Sequence, residues 1–138
     1  MLDDKVKAKE IADIIETIAP LSLAASWDNS GWQVGSAQVE VSGVLLALDL
    51  TLPVVEEATD RGLNVVVVHH PLFFRPLSRL DLDSPRGQLV AEVLRRGLQV
   101  YAAHTNLDQA EEGVSKVLAA RLELEEVEFL DPVIPQTY

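Results

Sequence analysis

Apolar residues at the spacing of one helix face open the chain: Val6, Ile11, Ile14, Ile15 and Ile18, behind Asp3 and Asp4 as candidate N-caps, with Pro20 ending the pattern. Leu21 to Ser30 reads as a loop, and Gly31-Trp32-Gln33-Val34-Gly35 as a short strand between glycines, suited to a sheet edge. Val44 to Leu50 is a nearly continuous apolar run interrupted by Asp49, which predicts a strand. Thr51 then stands where a helix cap belongs, Pro53 in a first turn and Gly62 at a stop. Val65 to Val68 is β-branched throughout, as in a strand buried on both faces, and runs into His69-His70-Pro71. Ser84-Pro85 opens another helix, with Leu89, Val90, Val93 and Leu94 on its apolar face and Gly97 as its stop. Leu98 to Ala103 is a third strand, followed directly by His104-Thr105-Asn106-Leu107-Asp108. Glu112 to about Leu122 is the last helix, with Val114, Val117, Leu118 and Leu122 as its expected buried stripe.

Strands alternating with helices predict an α/β fold with a largely parallel sheet between helix layers and right-handed crossovers. The 138 residues suit one domain, placed at 1–130, with 131–138 as an irregular, proline-containing tail. A hydrophobic content of 48% is enough to build a core at this length, which argues against disorder.

Composition narrows the partners. Eleven Lys and Arg against 22 Asp and Glu give a net charge of −11, which repels a phosphate backbone and disfavours nucleic acid. The chain has no Cys, so a metal would be held by His, Asp and Glu, and a reducing cytoplasm fits. No apolar run approaches the length of a membrane span, so no membrane partner is expected.

In open α/β sheets ligands bind beyond the carboxyl ends of the strands. Those exits carry Asp49, His69 with His70, and His104 with Asp108, so all three His of the chain lie at two of them. Imidazole and carboxylate suit Zn, Fe, Mn or Ni, and sites without thiolate often keep a position open for water. Plainer roles compete: His69 and His70 as a hydrogen-bonded strand end, His104 as a packed or orienting ring, Asp108 and Asp49-Leu50-Thr51 as turn and cap residues. Trp27-Asp28-Asn29-Ser30-Gly31 is turn-rich and suited to local Asx-type bonds, with Trp27 and Trp32 as hydrophobic anchors.

Four ordered motifs carry a resemblance: Ser26-Trp27-Asp28-Asn29 with Gly31 and Gly35, Leu48-Asp49-Leu50-Thr51, His69-His70-Pro71-Leu72-Phe73-Phe74, and His104 to Asp108 with Gly113. From about Ile11 to Leu124 the chain resembles the first half of the NIF three (interacting factor three) family, whose bacterial members are often labelled GTP cyclohydrolase I type 2 homologues. The resemblance implies a three-layer α-β-(βα)3 unit with a mixed, mostly parallel sheet. It also implies a dinuclear metal site drawing on His69, His70 and Asp108, with His104 and Asp28 lining the cleft to orient water or substrate and shuttle a proton.

Family members carry a second half that supplies a further His and, one helical turn on, a Glu. No His follows His104 here. The expectation is therefore a fragment of a longer protein, or a one-unit member that dimerises, with up to two divalent ions in a complete site. The implied function is a metal-dependent, cyclohydrolase-like hydrolase in which a metal-bound water attacks a small nucleotide-like or phosphorylated substrate. The alternative is a metal-binding regulatory or interaction module, with Leu72, Phe73, Phe74 and Leu77 as a contact surface or as ordinary loop packing. A homo-oligomer is expected in either case.

Overall fold

Four strands of four residues each build one sheet: β1 (Gly31–Val34), β2 (Val44–Ala47), β3 (Val65–Val68) and β4 (Gln99–Ala102). Their spatial order is β1-β4-β3-β2, with β2, β3 and β4 parallel and β1 antiparallel to β4. The glycine-flanked strand is thus an edge, and the sheet is mixed but mostly parallel. The computed structural model describes residues 5–128, so the proposed caps Asp3 and Asp4 and the tail 131–138 lie outside the described residues.

Helices cover both faces. Helix α1 (Ala8–Ile18) packs Ala8, Ile11 and Ile15 over Val65 and Val67 with Trp32. The opposite face carries the larger core, where α2 (Leu52–Asp60) and α3 (Pro85–Arg95) set Val55, Ala58 and Val93 against Val66, Val68, Val100 and Ala102. Alternation along β3 therefore feeds two cores at once, the reason its four valines are all buried. Thr51 and Ser84 cap α2 and α3 through their side chains, as expected. For α1 the Glu10 carboxylate accepts the Lys7 N–H at 2.8 Å.

A short helix α4 (Thr105–Asp108) follows β4, and α5 (Val114–Arg121) completes the described chain. Gly113 caps α5 in extended conformation, where a Cβ would run into the Leu107 carbonyl, so the turn joining α4 to α5 needs glycine. The expected buried stripe of α5 is not buried: Val114, Val117, Leu118 and Leu122 are all exposed. Helical periodicity shows that a face is apolar but does not supply the element that covers it, and the principal neighbour of α5 is the short α4. Leu94 is exposed as well. It lies in the last turn of the eleven-residue α3, and a helix of that length, about 16 Å, overhangs four-residue strands of about 13 Å.

Candidate metal centre

The carboxyl ends of β3 and β4 lie side by side, Val68 pairing with Ala102, so the residues that follow them are neighbours in space. His69 and His70 leave β3 and His104 leaves β4 after Ala103. One ligating nitrogen from each of the three imidazoles can be chosen so that all lie within 4.8 Å of one another. Their ring centroids are 5.0 Å apart for His69 and His70, 5.2 Å for His69 and His104, and 5.8 Å for His70 and His104.

Each ring is held by the same atom. His69 Nδ1 lies 2.8 Å from the Ala103 carbonyl oxygen, His70 Nδ1 lies 2.8 Å from Asp49 Oδ1, and His104 Nδ1 lies 2.8 Å from Asp28 Oδ1. An acceptor at Nδ1 fixes the proton there and leaves Nε2 with its lone pair free, the tautomer that binds a cation. A set of three neutral imidazoles oriented in this way fits a divalent transition-metal ion.

Asp28 is the most enclosed of these acceptors, with a side chain 0% exposed. Its Oδ1 accepts the Asn29 N–H at 2.7 Å and its Oδ2 accepts the Ser30 hydroxyl at 2.7 Å, so the local Asx bonds are present. The same carboxylate also accepts the Thr105 N–H and hydroxyl across 77 residues of chain. Burial pushes its pKa up, but the bonds from His104, Thr105, Ser30 and the Asn29 N–H outweigh burial and hold the carboxyl well below the usual range.

Asn106 supports the same corner from within. Fully buried, it donates to the Ala19 carbonyl at 2.7 Å and accepts the His104 N–H at 2.9 Å, tying α4 to the end of α1. Asn106 sits inside a motif that was conspicuous in sequence, but its burial depends on α1 and could not be read locally. Asp49, more simply read as a turn residue, proves to hold His70, and its position at a strand exit was the available signal.

Asp108 stands just outside the three-imidazole group, its Oδ1 3.5 Å from His69 Nε2 and its side chain 36% exposed. It ends α4 and does not cap α5, since Gly113 occupies that position. Trp27 is not a buried anchor: it is 62% exposed and stands edge-on to Phe74 and His104. Trp32 does pack, perpendicular to the Tyr101 ring at 5.4 Å.

Among the described residues no helix is long and apolar enough to cross a membrane. Residues 6–134 match the family model described as Duf34/NIF3 (NGG1p interacting factor 3). A GTP cyclohydrolase 1 type 2 homolog of Bacillus subtilis is 37% identical over 127 residues, covering 92% of this chain and 34% of that protein. A crystal structure of a Bacillus cereus protein related to NIF3 superimposes with a TM-score of 0.90 at 38% identity, covering 94% of this chain and 36% of that one. Reduced HcgD from Methanocaldococcus jannaschii superimposes with a TM-score of 0.81 at 35% identity, over 88% of this chain and 49% of that one. The chain thus spans about a third of the length of the curated relatives it matches, and on this sequence and fold it belongs to the Duf34/NIF3 family.

Proposed function

We propose that the chain provides the metal-holding part of a metal-dependent hydrolase acting on a small substrate. What supports this reading is the clustering of three imidazoles, each tethered at Nδ1 so that its Nε2 remains for a cation. Asp108 approaches from the side of His69 and adds a carboxylate oxygen to the set. With Nδ1 committed to Asp28, His104 has a single nitrogen left, so it either ligates the ion or shuttles a proton. The cluster geometry favours ligation, which makes Asp28 a positioning residue.

A divalent ion bound there would supply Lewis acidity, lowering the pKa of a coordinated water and polarising a carbonyl or phosphoryl group of the substrate. Asp108, which would ligate through one carboxylate oxygen, keeps its other oxygen to accept a proton from the reacting water. Zn, Fe, Mn and Ni all suit this donor set. With one carboxylate and three imidazoles, the described residues suffice for one ion, and a second would draw on groups outside them.

The test is metal content. Elemental analysis of the purified chain loaded with zinc should find about one ion per chain, as four donors from three His and one carboxylate predict. His69→Ala and His104→Ala should lose it. Full zinc retention by both variants would sink the reading. A hydrolase screen with each metal added separately then discriminates: turnover abolished by loss of His70 supports the hydrolase, and silence with every metal together with tight partner binding supports an interaction module.

A further inference from the structure

Beside the imidazole cluster stands an aromatic wall that the metal reading does not use. Trp27 is 62% and Phe74 47% exposed. Their rings meet edge-to-face with centroids 5.9 Å apart, and each lies near His104, at 6.5 and 6.4 Å. With Asn29, Phe73 and Pro76 they line a groove whose floor includes Asp28.

The wall is held from behind. Asn29 donates to the Phe73 carbonyl at 2.6 Å, and the Phe73 N–H donates to Gln33 Oε1 at 3.1 Å, so both backbone groups of Phe73 are clamped by side chains of the 29–33 segment. Arg86 donates to the Leu72 carbonyl and lies over the Phe73 ring, 5.9 Å from its centroid. A backbone held at Leu72 and Phe73 limits how far the adjoining Phe74 can move, so less order is left to impose there on binding. An edge-to-face pair covers one face of one ring, and at 62% and 47% exposure Trp27 and Phe74 keep further ring surface on which a flat ring can stack.

We infer that Trp27 and Phe74 form a stacking subsite for a planar, aromatic or heteroaromatic part of the substrate, seated next to the imidazole cluster. The inference rests on the metal reading for what lies beside the ring, but the stacking itself involves only the wall. A puckered ring or a sugar lacks the flat π-face that such a surface selects. Phosphate receives no matching group here, since no Lys or Arg is among the residues lining the groove and the enclosed Asp28 carboxylate beneath it disfavours an anion.

Saturation-transfer NMR on the zinc-loaded chain tests this, with adenosine as the flat probe and ribose as its control. Transfer should be strong at the base protons and absent for free ribose. Trp27→Leu with Phe74→Leu keeps apolar bulk at exposed positions while removing the π-faces, and should weaken adenosine binding at least about fivefold, as loss of base stacking does. Equal transfer to ribose, or base signals unchanged in the double variant, would overturn the subsite. Zinc measured on the same samples separates the two claims: normal zinc with no adenosine signal overturns the subsite and leaves the metal reading standing. Adenosine signals that persist and depend on Trp27 in a chain that takes up no zinc would do the reverse.

Discussion

The two carboxylates that hold the outer imidazoles of the cluster do the same job in opposite surroundings. Asp28, beside His104, is sealed from solvent and accepts bonds from four residues, two of them 76 and 77 positions away in sequence. Asp49, beside His70, is 56% exposed, and its imidazole is 49% exposed. One side of the site is therefore built into the fold, and the other is only attached to it. A buried acceptor with several donors fixes its partner by structure, whereas an exposed pair competes with water and salt for each other.

The sharpest way to break this contrast is to remove each carboxylate. Asp28→Ala strands at least three donors in a closed space and should cost about 3 kcal/mol or more in urea unfolding of the metal-free chain. Asp49→Ala should cost under about 1 kcal/mol, because exposed pairs contribute little. Equal losses would show that the two sides are not built differently.

A milder version keeps shape and changes charge. Asp28→Asn should lower zinc affinity by about 10- to 100-fold in a chelator competition, the usual cost of losing a carboxylate behind a ligating His. Asp49→Asn should fall short of that. Affinity lost equally in both variants would mean that solvent exposure does not weaken the orienting bond.

Acid titration gives a smaller effect with a definite sign. The Asp28 carboxyl is held below its ordinary value in the folded chain, while in the unfolded chain it takes up a proton near about pH 4. Below that point the unfolded state binds the extra proton first, so stability that is complete above about pH 4 is lost as pH falls further. In the metal-free chain, Asp28→Asn should flatten this acid limb. An acid limb of unchanged slope in Asp28→Asn would assign the loss to other carboxylates.

Much of the fold was legible in local pattern. The β-branched run of β3, the caps Thr51 and Ser84, and the glycine-flanked edge strand β1 are features whose cause lies within a few residues. The α5 stripe and Leu94 misled because burial depends on what lies opposite, which periodicity does not encode. At the site, the exits of parallel neighbouring strands bring His69, His70 and His104 together, and that follows from topology alone. The enclosure of Asp28 and the burial of Asn106 are products of tertiary contact. Trp27 reads as an anchor in sequence because large aromatics usually are buried. Its exposure needs the position of Phe74 to make sense.

The separation in sequence between the imidazoles sets an order of events as the chain folds. His69 and His70 are adjacent and available to a cation from synthesis onward, whereas the bond that orients His104 closes 76 residues of chain and carries the loop entropy of that span. An ion bound early would be held by two flexible rings, and the third would join only once β4 had docked on β3 and the 28–33 segment had closed over it. Metal grip should thus rise with the last steps of folding, so that a retained ion reports a finished fold and a misfolded chain releases what it has picked up.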